Sequence, residues 1–298
     1  MNPGAACPRL PTGAPRRPGG PAAPLGAARA FSLVELLVVL ASIGVLVSLL
    51  APSLAGARRG AHAAVCLSNL RQLALGWTLY AADHADRAMP LAYWSAEDVG
   101  PGGEQLFWWG SHGSSVRPVD HARGFLSPYL AAGLHERSVY ECPAQPWGTY
   151  RPQGPSKQIT STYGYNGYYL SPARTPGWGA AIGHRPWRRL HEIARPVELA
   201  VFADALLPGG RGALPSNTAL LDPPMLFEAP GRWRENPSPT SAFRHGGGAR
   251  RRACAVAAAD AHAAAHPAEP GWLTHPEQGI GSIGGRNDPT YVPDWEDW

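Results

Sequence analysis

The segment ARAFSLVELLVVLASIGVLVSLLAP, residues 28–52, decides the fold of this chain. From Leu36 to Ala57 the chain has 22 residues without a charged side chain. At about 1.5 Å per residue, a helix of this length crosses the roughly 30 Å hydrocarbon core of a bilayer. One carboxylate, Glu35, stands directly before this run. An ionisable group at a membrane span is presumed functional, so we expect a specific partner for it.

Three interpretations of this segment compete. A cleaved signal peptide has an apolar core of about 7–15 residues and a small-residue cleavage site. The tripeptide Ala55–Ala57 suits such a site, but the apolar core is too long and Glu35 has no place in it. A plain single-span anchor has no use for Glu35 either. The third interpretation uses the carboxylate, the small residue Ala30 and the leader of residues 1–30 together.

The leader, residues 1–30, is rich in proline and glycine without apolar periodicity, so we expect no stable fold there. Its arginines, Arg16, Arg17 and Arg29, put the N-terminus in the cytoplasm by the positive-inside rule. Pro52 removes one helix hydrogen bond and predicts a kink in the span.

The segment from Ala30 onward resembles the processing signal of type IV prepilins and type II secretion pseudopilins. That signal has a basic leader, a small residue, Phe-[Ser/Thr]-Leu-x-Glu and about twenty apolar residues. The resemblance implies that a prepilin peptidase cuts between Ala30 and Phe31 and methylates the new amine of Phe31. Ala30 stands where most members have Gly. Nothing else in the span offers Glu35 a partner, so we expect it to pair with Phe31 of the next subunit.

The helix is predicted to continue past the membrane span. Apolar residues recur at steps of three and four, which marks one buried stripe. Arg71 and Gln72 lie off that stripe, and Asp83-His84 followed by Pro90 ends the helix. The stripe consists of Leu67, Leu70, Ala74, Trp77 and Ala81.

Later blocks resemble the large prepilin-type proteins abundant in planctomycete and verrucomicrobial genomes. Members often end the domain with Arg-His-x-Gly-Gly, an apolar strand and Asp-Gly-His. Here the corresponding block is FRHGGGARRRACAVAAADAHA, residues 243–263, with Ala261 where Gly is usual and a longer spacing between His245 and Asp260. The other matching blocks are residues 66–90, 139–146, 161–170 and 195–205.

We therefore predict an α+β, pilin-like fold with a long N-terminal transmembrane helix packed on a small antiparallel sheet with long loops. Strands are expected in SVYEC, STYGYNGYYL, ELAVFAD and CAVAAAD, which are apolar or aromatic runs bounded by turn residues. Whether the acidic, aromatic tail docks on the body is left open. The predicted regions are a cleaved leader at 1–30, a membrane and assembly half at 31–57, a soluble helical half at 58–90, an extracytoplasmic domain at 91–270 and a tail at 271–298.

Composition limits the possible functions. The 35 glycines and 32 prolines among 298 residues indicate a loop-rich body, short of the level typical of full disorder. The net charge of +4 comes largely from the leader, and no basic stripe with interleaved aromatics follows it. We therefore expect no nucleic-acid partner.

The four cysteines form no CxxC pair, so the usual zinc spacing is absent. Cys66 with Cys142 is the candidate disulfide, and free buried thiols are an equal alternative. His245, Asp260 and His262 are candidate metal ligands, but a polar turn that closes a hairpin is the better interpretation, so no metal and no cofactor are expected. The pair Trp108-Trp109 either fills the core, which we favour, or contacts a ligand.

The expected function is that of a non-enzymatic subunit of a type II secretion pseudopilus or a type IV pilus-like filament. Its expected partners are the prepilin peptidase, the bacterial inner membrane, other subunits and the assembly platform. The expected location is the inner membrane, with the C-terminal domain in the periplasm or on a filament surface. The alternatives are a single-span membrane-anchored carbohydrate-binding module and an exported metal-dependent enzyme.

Overall fold

The structure is a computed structural model that describes residues 31–298 except 101–102, 113–116, 131–137, 155–156, 159, 247–251 and 297. It has one long helix, three one-turn helices and mostly short antiparallel strands. The chain divides into two units, one ending at Leu50 and one running from Ala51 to Trp298. The predicted leader lies outside the described residues.

Helix α1, Leu33–Asp83, is 51 residues long. It passes through Pro52 without ending, and the kink predicted there stays a prediction. At its end the N–H groups of His84 and Asp86 both donate to the carbonyl of Ala81, and the backbone of Ala85 and Asp86 enters the left-handed region. That conformation cannot extend a right-handed helix, so the predicted end at Asp83-His84 is confirmed.

The predicted stripe on the later part of α1 is confirmed. Leu70, Ala74, Trp77 and Ala81 are buried, and Leu67 is half-buried. Arg71 and Gln72, off the stripe, are exposed. The indole N–H of Trp77 donates to the Tyr165 hydroxyl at 3.1 Å, which joins the helix to the sheet.

The remaining elements follow α1 in chain order. Their bounds are β1 Ala92–Tyr93, α2 Ala96–Val99, β2 Leu106–Phe107, β3 Gly110–Ser111, β4 Tyr163–Tyr165, α3 Gly167–Leu170, α4 Gly179–Ile182, β5 Ala200–Asp204, β6 Met225–Ala229, β7 Arg232–Glu235, β8 Ser241–Ala242, β9 His245–Gly246, β10 Arg252–Ala258, β11 Ala263–Pro267 and β12 Ile280–Gly281.

The central sheet has the strand order β11-β10-β5-β4, and β9 also pairs with β10. Neighbouring strands are antiparallel, with Val256 opposite Ala203 and Gly164 opposite Ala203 on the two sides of β5. All five residues of β5 are buried, so both faces of this strand are covered. The smaller sheets are β1-β2-β3, β6-β7 and β8-β12.

Two of the predicted strands are confirmed, in ELAVFAD and CAVAAAD, as β5 and β10. The strand predicted in SVYEC is wrong, because residues 139–142 form turns and lie outside every strand. The segment STYGYNGYYL divides, because Asn166 caps the short helix α3 by accepting the N–H of Tyr169. The tail docks, since Tyr291, Val292 and Trp298 are all buried.

The structure thus has one long N-terminal helix, apolar over its first half, packed with small antiparallel sheets in a mixed α and β fold. Much of the core is aromatic: Trp77, Trp108, Trp109, Tyr140, Tyr163, Tyr165, Tyr168, Tyr169, Phe202 and Tyr291 are all nearly or fully buried.

Candidate functional site

Glu35 has a partner in its own chain. Its Oε2 accepts the backbone N–H of Ser32 at 2.9 Å, and the Ser32 hydroxyl accepts the backbone N–H of Glu35 at 3.1 Å. This reciprocal pair is a capping box, which satisfies two backbone donors at a helix start. The expectation that Glu35 finds no partner within its span is therefore wrong. Ala30 lies outside the described residues, and Phe31 is exposed.

The predicted cysteine pair does come together, but as free thiols. Cys66, on α1, and Cys142, in the turn before β4, are both fully buried. No bond joins the two sulfur atoms in this structure, so the disulfide is absent and the alternative of free buried thiols describes what is found.

Two further side chains complete a cluster around these thiols. Asp204 is the last residue of β5, and His245 is the first residue of β9. One ligand atom from each of Cys66, Cys142, Asp204 and His245 lies within 4.8 Å of the corresponding atom of every other member. We refer to these four residues as the Cys-Asp-His cluster. Three of them have no exposed surface, and His245 is 5% exposed.

The contacts inside the cluster are short. Cys66 Sγ lies 3.5 Å from Asp204 Oδ1, and Cys142 Sγ lies 3.4 Å from His245 Nε2. The same Nε2 lies 3.1 Å from Asp204 Oδ2. Thus one nitrogen of the imidazole faces both a sulfur and a carboxylate oxygen. The other ring nitrogen, Nδ1, has no hydrogen-bond partner in the described part of the chain.

A buried guanidinium balances the carboxylate. Arg244 Nη1 lies 3.5 Å from Asp204 Oδ1, and Arg244 Nη2 donates to the carbonyls of Thr162 and Ala205 at 2.9 and 2.7 Å. Burial alone raises the pKa of Asp204, but the charge of Arg244 and the contact with His245 outweigh burial and lower it. The N–H of Ala255 also donates to Asp204 Oδ2 at 3.0 Å. Asp204 is therefore an anion held in place.

The two thiols differ in acidity. Burial raises the pKa of Cys66 well above its ordinary value. Burial also opposes ionisation of Cys142, but hydrogen bonds from Cys66 and His245 lower the pKa of Cys142 overall. Burial lowers the pKa of His245, and its contacts with Asp204 and Cys142 raise it by more. The arrangement favours a Cys142 thiolate beside an imidazolium.

The structure does not bring the predicted metal ligands together. His245 pairs with Ala253 at one end of β10, whereas Asp260 and His262 lie in the turn after its other end. At about 3.3 Å per residue, the strand separates them by roughly 20 Å. Asp260 and His262 instead pair with each other at 2.6 Å on the surface. The three candidates therefore lie too far apart to bind one metal ion, which argues against the metal site that was ranked below a polar turn.

The turn after β10 holds Ala261 in a backbone conformation that is unfavourable for alanine. Ala261 has a φ of 66°, in the left-handed region that favours glycine. A glycine is therefore the unstrained residue at this position, and the chain tolerates alanine there.

The tryptophan pair belongs to the core. Trp108 is fully buried and Trp109 is 1% exposed, and the Trp108 indole N–H donates to the Ala219 carbonyl at 3.0 Å. Neither ring has a free face on which a sugar could stack. The core-filling interpretation is therefore correct for this pair.

Asp204 is the member of the cluster that sequence reasoning missed. Its signal is an acidic residue that directly follows the apolar run LAVFA, residues 199–203. A charged side chain continuous with a buried strand is itself buried and requires a paired charge or ligand. The four members span residues 66 to 245, so no local spacing motif joins them.

No family model matches the chain, no curated protein matches it, and no solved structure matches it.

Proposed function

We propose that this chain is a structural pilin-like subunit, anchored by the first half of α1 and assembled through it into a type II secretion pseudopilus or type IV pilus-like filament. In this proposal a prepilin peptidase cuts between Ala30 and Phe31, and the inner membrane holds the subunit before it joins others on an assembly platform. The domain after α1 faces the periplasm or the filament surface. The chain carries out no catalysis.

The observation that supports this proposal is the character of α1. The helix is long and apolar enough to span a membrane, and residues 31–61 are all exposed. Soluble monomers rarely expose a contiguous apolar surface of this kind. The same helix continues into residues that are buried in an α+β body, which makes one helix serve both as an anchor and as a core element. This combination is the architecture that the prepilin resemblance implies.

The capping box refines the role proposed for Glu35. Glu35 Oε2 accepts the N–H of Ser32. Among the described residues, no hydrogen bond to its other oxygen, Oε1, is found, so Oε1 is available to a second donor. A carboxylate accepts up to about four hydrogen bonds, so capping does not exclude an intermolecular ion pair. In the processed chain the new amine of Phe31 is adjacent to Ser32. We propose that the box aims Glu35 toward the amine of the next subunit.

The rival functions have less support. A carbohydrate-binding module that uses Trp108 and Trp109 conflicts with their burial. An enzyme with a metal at His245, Asp260 and His262 conflicts with the separation of His245 from the other two along β10.

The test of processing is co-expression with a prepilin peptidase, followed by N-terminal sequencing and mass spectrometry of the membrane fraction. The expected product starts at N-methylated Phe31. A mature chain that starts at Arg58 contradicts the proposal and supports secretion by signal peptidase.

The test of assembly separates the charge of Glu35 from its capping role. Glu35→Gln keeps a side chain that completes a capping box but removes the charge, whereas Ser32→Ala removes half of the box and keeps the charge. We expect Glu35→Gln to abolish incorporation into filaments and Ser32→Ala to reduce it only mildly. If Glu35→Gln assembles normally while Ser32→Ala does not, the intermolecular ion pair is wrong.

A further inference from the structure

We propose that the Cys-Asp-His cluster binds one Zn²⁺-like divalent cation in a closed tetrahedral site formed by Cys66, Cys142, Asp204 and His245. This inference is independent of the filament proposal, because it concerns only the body that follows the membrane span. The site is structural, and no part of the filament proposal requires it.

The donor chemistry fits a borderline-soft cation. Two thiolates, an imidazole and a carboxylate are ligand types that Zn²⁺ takes in proteins, and structural zinc sites have four such ligands. Calcium and magnesium prefer oxygen ligands only, so the two sulfurs disfavour them.

The four ligand atoms are close to the spacing of a tetrahedral site. With Zn–S of about 2.3 Å and Zn–N and Zn–O of about 2.0–2.2 Å, the edges of a tetrahedron measure about 3.3–3.8 Å. Cys142 Sγ lies 3.4 Å from His245 Nε2, Cys66 Sγ lies 3.5 Å from Asp204 Oδ1, and His245 Nε2 lies 3.1 Å from the other carboxylate oxygen, Oδ2. Every other edge is below 4.8 Å. Small side-chain shifts therefore suffice to bring all four ligand atoms to bonding distance from one cation.

The direction of the imidazole argues against a catalytic relay. In a nucleophile-histidine-acid triad, the nucleophile and the acid bind opposite nitrogens of the ring. Here Cys142 and Asp204 both face Nε2 of His245. The observation that points to coordination is that one ligand atom from each of the four side chains lies within 4.8 Å of the other three.

With a divalent cation bound, the formal charges of the site and Arg244 sum to zero. Two thiolates and one carboxylate carry three negative charges, a divalent cation leaves one of them, and Arg244 beside Asp204 neutralises it. Buried charge is stable only when it is compensated in this way. The Tyr163 hydroxyl donates to Cys66 Sγ at 3.4 Å and supports the sulfur as an anion.

The position of the cluster gives the cation a structural role, and a pocket beside Cys142 gives it access to the site. It joins α1, the turn that contains Cys142, the end of β5 and the start of β9, which are far apart in sequence. A cavity of about 550 Å³ is lined by Cys142, Glu141, His62, Arg58 and Trp147, among others, and reaches the cluster at Cys142. This cavity provides an entry path for the cation.

The experiment uses the full chain in a Cys7→Ser background, purified in detergent without a histidine tag. Metal content is measured by inductively coupled plasma mass spectrometry, and Co²⁺ replaces the native metal for absorption spectroscopy. We expect about one Zn²⁺ per chain. With Co²⁺ we expect thiolate charge-transfer absorption and the intense visible bands of a tetrahedral site.

Variants then test the ligand set. Cys66→Ser and Cys142→Ser should each reduce the amount of bound metal and weaken the affinity for Zn²⁺ by about 10-fold to 100-fold. Cys254→Ser is the matched control, because Cys254 is a buried free thiol near the Asp204 carbonyl, 3.6 Å away, but outside the cluster. His262→Ala is the second control, and both controls should keep full occupancy.

Three results overturn the proposal. The first is wild-type protein that neither contains metal nor shows a thiolate-cobalt spectrum. The second is a Cys66–Cys142 disulfide in protein purified without reductant, detected by mass spectrometry of unreduced peptides. The third is equal metal occupancy in the wild type and the Cys66→Ser/Cys142→Ser double variant. If that double variant fails to fold, the wild-type metal content and cobalt spectrum still decide the matter.

Discussion

The first half of α1 is more apolar than the second, and the two halves arrange their apolar residues differently. The first half, residues 33–57, is apolar nearly all round and exposed, whereas the second half, residues 58–83, has one buried stripe and exposed polar residues between. An all-round apolar helix suits lipid, and a striped helix suits a protein core. The first half is therefore long and apolar enough to span a membrane, and the second half is packed in the protein core. The sharpest way to test this is to make the same substitution in each half.

Replacing two leucines by lysine in one half of α1 should give the largest difference between the halves, measured as retention in the membrane fraction. Each Leu→Lys change near the centre of a span costs about 3 kcal/mol of insertion free energy, so Leu40→Lys with Leu46→Lys costs about 6 kcal/mol. We expect most of that double variant to leave the membrane fraction on carbonate extraction. Leu75→Lys with Leu79→Lys, at exposed positions of the second half, should remain membrane-bound and folded. Equal retention of both double variants would falsify the assignment of the first half to lipid.

Truncating a leucine to alanine should destabilise the body when it is done in the second half of α1 and have little effect in the first half. Leu70 is fully buried and Leu46 is 60% exposed. Leu70→Ala should lower the free energy of unfolding by about 3 kcal/mol, because it removes buried contacts and leaves a cavity. Leu46→Ala should change the unfolding of the body by less than about 0.5 kcal/mol. Urea unfolding in detergent, followed by tryptophan fluorescence, measures both, and comparable losses contradict the comparison.

A glycine in each half provides a smaller contrast. A Cβ added at Gly76 lies 3.2 Å from Leu130 Cδ2 and 3.7 Å from Leu126 Cδ2, whereas one added at Gly44 meets nothing within 4 Å. Gly76→Val should therefore overpack the contact with the Leu126–Leu130 segment and cost about 1–3 kcal/mol. Gly44→Val should be close to neutral in the same unfolding measurement. A neutral Gly76→Val means that the segment moves freely away from α1.

The end of α1 should show the smallest effect. The Asp86 carboxylate accepts the backbone N–H of His191 at 3.1 Å and pairs with its ring, and these contacts lower the pKa of Asp86. The folded pKa lies below the unfolded value of about 3.9, so this stabilisation is present above that pH and is lost as the pH falls through the folded pKa.

Because the pair is exposed, Asp86→Asn should cost only about 0.5 kcal/mol at pH 7. The cost should shrink as the pH falls below about 3.9, as measured by urea unfolding at pH 7 and at an acidic pH. His191→Ala removes the ring partner and should flatten the same pH dependence. A cost that is unchanged at the acidic pH indicates that Asp86 acts through its backbone alone.

The difference between prediction and structure follows the range of the interactions. The stripe from Leu70 to Ala81 and the end at Asp83 depend on residues three or four apart, so they are readable from the sequence. The capping box of Ser32 and Glu35 is equally local, and its S-x-x-E pattern could have been recognised. Where a strand is predicted in SVYEC the chain instead turns, and the N–H of Cys142 donates to the hydroxyl of Thr162, 20 residues further along the chain.

The cluster shows the same limit at the level of chemistry. His245 was singled out from sequence, but with Asp260 and His262, which are near it along the chain and at the far end of β10 in space. Cys66 and Cys142 lie close together in space as free buried thiols, which is the equal alternative to the disulfide. Asp204 joins them only because β5 lies between β4 and β10.

By itself, the sequence determined the long helix, its apolar first half and the stripe that buries its second half. Those properties depend on side-chain type and on the 3.6-residue period of the helix, which act locally. Only the tertiary structure decided that the four members of the Cys-Asp-His cluster come together: Cys66 of α1, Cys142 of a turn, Asp204 of β5 and His245 of β9. Long-range antiparallel pairing sets that meeting, and no local pattern in the chain encodes which distant residues become neighbours.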